Sequence, residues 1–352
     1  MGLLAPPVVR PARLKPAWIA GGVLALVVAG VAGLSLGAVS ISATRVFLEV
    51  LDHIPGVHVH SGLTEREAAI VWQLRVPRVV LGFVVGGMLA AAGASYQGVF
   101  RNPLADPYLL GAAAGAGLGA TIAIGGRLSV QAGPLDAVPL AAFIGALVAV
   151  FLAYFISTVG GRDTSPAILL LSGVAVMTFL TAIQTFVLQR NSDTIREVYS
   201  FILGRLTTSG WREVGAVLPY ALVSVTVLLV HRRTLDVMAV GDDEAASLGL
   251  HVTRTRLIIV GAASLATAAA VSVSGLIGFV GLVVPHIVRL LFGSSFRVVL
   301  PLSILFGGAF LTLADLLART ALSPAEIPIG VVTAIFGAPF FVLVLRARKR
   351  LV

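Results

Sequence analysis

The 352-residue sequence contains no cysteine. Disulfides, thiolate metal sites and iron–sulfur clusters are therefore excluded, and the redox compartment leaves no mark. Charge is scarce as well, at 12% of residues against 58% hydrophobic. Lysine is confined to Lys15, which follows Leu14, and Lys349, which follows Arg348. A P-loop requires Gly-Lys followed by Ser or Thr, so neither is a Walker A lysine, and any ATP hydrolysis must lie on a partner subunit. No composition shift and no low-complexity linker marks a second domain. Residues 1–352 read as one transmembrane domain with a short tail at about 1–16. The net charge of +9 sits in clusters that flank apolar runs, with no polar domain to form a binding face, which argues against nucleic-acid binding. No cofactor is implied.

What is abundant is apolar sequence. A bilayer takes about 20 apolar residues per helix. About ten such segments are present, near 17–39, 79–100, 108–125, 138–160, 166–189, 214–230, 257–274, 276–292, 298–318 and 327–345. The run from Leu257 to Val288 has no charged residue. As one helix it would be roughly 48 Å long, too long for a hydrocarbon core of about 30 Å, so it must break. The glycine-containing stretch from Ser272 to Gly281 is where it should. The first apolar run follows Arg10, Arg13 and Lys15 and exceeds the length of a usual signal-peptide core, so it reads as a true span. Its basic flank and the basic C-terminus (Arg346, Arg348, Lys349, Arg350) place both termini in the cytoplasm, with an even number of spans. Several arginines are then left outside.

The stretch from Gln97 to Gly111 places charge and two prolines between apolar runs. Pro103 and Pro107 end the preceding helix, and a new one should begin near Tyr108. This stretch closely resembles the turn after the second span in the FecCD family, the permease subunits of ABC importers for iron-siderophores, haem and cobalamin. Gly278 to Arg289 and Ala325 to Pro339 extend the resemblance, which covers the chain from Arg75 to the C-terminus. It implies an all-α, polytopic type II ABC importer permease fold in a bacterial cytoplasmic membrane. It also implies a homodimer with two ABC ATPase subunits and an extracytoplasmic substrate-binding protein.

The inner loop, about 231–256, contains a short helix expected from Asp243 to Leu248. Asp242 can cap it, Asp243 and Glu244 suit the positive end of its dipole, and Gly249 suits a left-handed stop. On those features alone an ordinary surface helix is the favoured reading. The resemblance makes Gly241, Asp242, Asp243, Glu244, Ala245, Ala246, Leu248 and Gly249 the loop that docks on the ATPase.

At the outer end, Arg75 and Arg78 open the second span, with Pro77 suited to a first helical turn. Arg319 closes the ninth. Interfacial snorkelling accounts for such residues, whereas in the family matching arginines receive two glutamates of the binding protein. Thr164 and Ser165 precede Pro166 between the fourth and fifth spans, where a capped turn is the plain reading. The family has a Thr-Ser pair there that narrows the inner end of the pathway. His286 is expected to pack in an apolar helix, and Asp315 to pair with Arg319 one turn on.

Two other classes compete. A secondary transporter would need midplane ion sites, which the scarcity of buried acids opposes. An intramembrane protease has only a formal pairing of Ser95 or Ser274 with His286. Neither explains the inner loop. Of the cargoes the resemblance implies, ferric siderophore comes first, with cobalamin and haem behind it.

Overall fold

A computed structural model describes residues 13–37, 41–53, 56, 58–128, 131–132, 135–159, 166–206 and 210–349. In chain order its helices begin with α1 (Pro16–Ser35), α2 (Ala43–Asp52), α3 (Glu65–Ala69), α4 (Val76–Val99) and α5 (Ala112–Gly125). There follow α6 (Ala137–Thr158), α7 (Pro166–Arg190), α8 (Ile195–Ile202), α9 (Arg212–Val230) and α10 (Arg232–Met238). The last five are α11 (Asp242–Ser247), α12 (Val252–Ser274), α13 (Val280–Phe292), α14 (Phe296–Thr320) and α15 (Ile329–Lys349). The remaining sheet is one small antiparallel pair, β1 (Gln131–Ala132) and β2 (Leu135–Asp136), among the described residues. Each of the ten apolar segments has its helix, in α1, α4, α5, α6, α7, α9, α12, α13, α14 and α15. Among the described residues, seven helices are long and apolar enough to cross a bilayer.

The bundle is built around α4, which packs against α14, α12, α13 and α9. Small residues allow this closeness. A Cβ placed on Gly93 of α4 would collide with the backbone carbonyl of Gly281 in α13. The outer helices expose large apolar side chains, such as Phe151 and Phe155 on α6 and Leu171 and Phe179 on α7. In water that would be an aggregation surface. Around a membrane bundle it is the surface that meets lipid or another copy.

Two helices are far too short to span, and the apolar part of α15, Ile329–Val344, is also shorter than the seven. α5 has 14 residues and α13 has 13, about 20 Å each, against a core of about 30 Å. The turn before α5 re-enters the bundle, since Gly111 packs against Gly173 and Val176, roughly 10–15 Å along α7 from its inner end. Helix α5 starts at Ala112, four residues later than expected. The Asp106 carboxylate accepts the Tyr108 N–H at 2.9 Å, and Gly111 adopts φ +83°, so residues 108–111 remain a turn. The long apolar run breaks where expected, at residues 275–279, with Gly275 at φ +66° and Phe279 at φ +68°.

Backbone groups freed by these breaks must find partners inside the protein. The Gln97 amide donates to the carbonyls of Ala105 (3.3 Å) and Gly281 (3.1 Å), and its oxygen accepts from Arg289. The Tyr108 hydroxyl donates to the Ile277 carbonyl (3.0 Å) and accepts its N–H (3.1 Å). One glutamine and one tyrosine thus join the two breaks. The Arg205 N–H donates to the Ser274 carbonyl, and the N–H groups of Ile329 and Gly330 donate to the carbonyls of Gly204 and Leu203. These bonds seat the start of α15 against the loop after α8.

Candidate functional site

At the end of the bundle expected to lie outside, the helix does not begin at Pro77. Residues 65–99 form one continuous helix, opened by a capping box in which Thr64 accepts the Glu67 N–H and the Glu67 carboxylate accepts the Thr64 N–H. Pro77 cannot donate to the preceding turn, and a wider π-helical stretch over Ile70–Arg75 leads into it. The missing N–H is therefore absorbed by a bulge and not by a helix start.

The three outer arginines take different directions. Arg75 is 7% exposed, and its guanidinium donates to the carbonyls of Leu34 (2.6 Å) and Ser35 (3.2 Å) at the end of α1. Arg319 donates to the Gly33 carbonyl in the same turn. Both therefore occupy carbonyls that a helix end leaves without intrahelical partners. Arg78 instead grips two acids. Its Nε and Nη2 donate to Asp315 at 2.8–3.1 Å, and its Nη1 and Nη2 donate to Glu326, both at 3.0 Å. The Asp315 side chain is 3% exposed and that of Glu326 is 52% exposed. Hydrogen bonding from Arg78 holds the Glu326 carboxyl below the usual range. Asp315 also lies 3.4 Å from Arg319, the pairing expected from sequence, but its closer partner is Arg78 from another helix. A cavity of about 190 Å³ opens beside this cluster, lined in part by Arg78, Arg205, Asp315 and Glu326.

At the opposite end of the bundle, α10 and α11 fill the loop between α9 and α12. Helix α11 starts at Asp242, one residue earlier than expected, and Gly241 stands at its N-cap with no side-chain bond. Asp242 is thus not a cap. Its carboxylate accepts from Arg256 at the start of α12 (2.6 Å) and lies 3.5 Å from Arg101 in the re-entrant turn. Asp243 and Glu244 do occupy the first turn, and Gly249 is left-handed at φ +84°. Ala245 is buried, while Leu248 (71%) and Val240 (67%) are exposed beside Asp243, Glu244 and Ala246. Helix α10 is fastened separately. Asp236 accepts the Phe296 N–H (2.6 Å) and the Ser295 hydroxyl (2.8 Å), which caps α14 from another element.

Thr164 and Ser165 lie outside the described residues. His286 is buried, edge-on to Phe340 at 5.8 Å between ring centres, as expected of a packed histidine. Among the described residues no group of three His, Asp or Glu side chains is placed to hold a metal. Sequence reasoning assigned no role to Arg101, Arg205, Asp236, Arg256 or Glu326. Their partners are 5 to 248 residues away along the chain, and no local spacing could have disclosed most of them.

Ten apolar helices, two of them half-length and bonded at their breaks, with an inner loop presenting an acidic and apolar face, define a multi-pass membrane permease. The chain belongs to the FecCD transport family, whose pattern matches residues 25–347, and it is an ABC importer permease of that family. It is 47% identical over 288 residues to the cobalamin import system permease protein BtuC of Halobacterium salinarum, covering 82% of this chain and 76% of that one. It is 37% identical over 318 residues to the Fe(3+)-citrate import system permease protein YfmD of Bacillus subtilis, covering 90% and 91%. A solved inward-facing conformation of a metal-chelate type ABC transporter superposes with a TM-score of 0.82 at 28% identity, covering 94% of this chain and all of the other.

Proposed function

We propose that this permease carries a large, already chelated metal complex across the cytoplasmic membrane, with cobalamin as its first cargo. The observation that carries the choice is the 47% identity to a permease named for cobalamin import. A ferric chelate, the sequence-based expectation of a siderophore included, is the second reading, supported by the 37% identity to a permease named for ferric citrate import. Two copies enclose the pathway, two ATPases sit on the inner loops, and one extracytoplasmic binding protein delivers cargo. Both termini face the cytoplasm.

In this reading the exposed face of α11, with Asp243, Glu244, Ala246 and Leu248, is the ATPase contact, and Gly241 and Gly249 set its ends. Thr164 and Ser165 narrow the inner end of the pathway. Acidic groups of the binding protein dock at Arg78, with Arg75 and Arg319 behind it adding positive potential that steers encounter. Selectivity then rests mainly with the binding protein.

The test is uptake by the complete transporter in proteoliposomes with its own binding protein, offered cyanocobalamin, a ferric hydroxamate, ferric citrate and haemin separately. ATP-dependent accumulation of cyanocobalamin is the expected result. Accumulation of a ferric chelate alone would replace cobalamin by the second reading. Failure of all four would remove the chelate class.

A further inference from the structure

Arg78 has the geometry of a docking residue and is already occupied. One edge of its guanidinium is bonded to buried Asp315, and the Nη1/Nη2 edge is bonded in a fork to Glu326. That second edge is the one a carboxylate arriving from outside would need. Asp315 and Glu326 offset the charges of Arg78 and Arg319, which leaves Arg75 and Arg205 as the positive excess at this mouth. An acidic partner drawn to this cluster would find the fork of Arg78 already filled.

The two acids are held very differently. Asp315 lies within α14, nearly without solvent contact, and is fixed by Arg78 and Arg319. Glu326 is half exposed, in the segment between α14 and α15, where residues 321–326 are all exposed. The adjoining cavity of about 190 Å³ is smaller than the roughly 300–1,000 Å³ of small-molecule sites, and its size suits a side chain. Arg205, exposed on the same cavity, offers a second cation to a carboxylate that leaves Arg78.

We propose that Glu326 is an internal stand-in for the docking carboxylate, holding the outward edge of Arg78 in the free permease and giving it up when an acidic residue of the extracytoplasmic binding protein arrives. The proposal rests on the reading that Arg78 is a docking residue. Exchange of one forked arginine–carboxylate pair for another keeps Arg78 satisfied throughout, so Asp315 is never left as an unpaired buried charge. It also closes the fork of Arg78 to acidic proteins that cannot displace Glu326.

The experiment uses the assembled transporter in lipid nanodiscs and the binding protein that co-purifies with it. Glu326→Gln removes the competitor and should tighten binding about 2- to 5-fold at low salt, the range an exposed ion pair commands. The double variant Arg78→Gln with Asp315→Asn, which leaves no buried carboxylate unpaired, should lose docking. The absence of native cysteine permits a single spin label at Ala325→Cys, with Glu326 intact. That label should gain mobility when the binding protein docks. Loss of docking in the double variant, with unchanged or weaker binding by Glu326→Gln or an unmoved label, would overturn the stand-in and leave the docking reading in place. Undiminished docking by the double variant would overturn both.

Discussion

Arginine has three uses at the end of the bundle where α1 closes and α4 begins, and the neighbours of each decide which. Arg75 and Arg319 reach the last carbonyls of α1, Arg78 joins α4 to α14 and to the segment before α15, and Arg205 stands exposed. The sequence alone grouped Arg75, Arg78 and Arg319 by position at the mouth. It could not separate them, because the acceptors at Gly33, Leu34 and Ser35 are backbone atoms with no signature of their own. Replacing Arg319 by Met should uncover the Gly33 carbonyl and remove one counter-charge of Asp315. Leaving a buried acceptor unmatched costs about 1–3 kcal/mol, so thermal unfolding of the detergent-solubilised permease should move clearly downward. Arg205→Met should leave the transition where it is. Equal transitions for Arg319→Met and the parent chain would show that α1 does not depend on this contact.

Among elements, the short helix α11 shows how a loop is given a fixed shape. Helix α11 has six residues and could not hold its shape alone. It is fixed because Asp242 binds Arg256 of α12 and approaches Arg101 of the re-entrant turn, while Asp236 of α10 caps α14. If α11 is the ATPase contact, a push on its exposed face reaches three parts of the bundle. Asp242→Asn keeps the shape of the side chain and weakens both ionic contacts. The expected result is ATP hydrolysis that persists in the reconstituted complex while cargo moved per ATP falls several-fold, as for a coupling of about 1 kcal/mol. An unchanged ratio would confine Asp242 to shaping the loop.

The re-entrant breaks belong to the same scale. Their existence was legible, since two prolines at 103 and 107 and a charge-free run too long for one span forced them. The joint between them was not, because Gln97 lies eight residues from Ala105 but 184 from Gly281 and 192 from Arg289. Gln97→Leu keeps the bulk and removes all of these bonds at a site 3% exposed. Two carbonyls and a guanidinium then lose a partner where water is excluded, at about 1–3 kcal/mol for each neutral group. The expected outcome is a sharp loss of folded permease in fluorescence-detected size exclusion, with partial recovery by Gln97→Glu, which keeps acceptors for Arg289. Wild-type yields for Gln97→Leu would show that the breaks hold without this residue.

For the whole molecule, α7 carries the remaining question of where cargo passes. Only 28% of its spanning window is buried, so it faces lipid, another copy or the pathway over most of its length. Its exposed surface is not uniform. Thr178, Thr181 and Thr185 fall on one stripe by helical spacing, while Phe179 and Phe186 lie on another about 100° away. The hydroxyls of Thr178 and Thr185 donate to carbonyls one turn back, which satisfies their donors and leaves a surface of small, weakly polar groups. Such a stripe suits a wall along which a bulky chelate slides without being held, and the phenylalanine stripe suits acyl chains. If two copies enclose the pathway, the threonine stripe should be wet and the phenylalanine stripe dry. A chain without native cysteine makes this directly measurable: a single Thr181→Cys should react with a small hydrophilic maleimide in membranes, and cargo should slow that reaction. Phe179→Cys should react at least about 10-fold more slowly, since the thiolate that reacts is disfavoured in apolar surroundings. Equal reactivity at the two positions, or no protection of Thr181→Cys by any cargo that the complex transports, would place the pathway on a different helix.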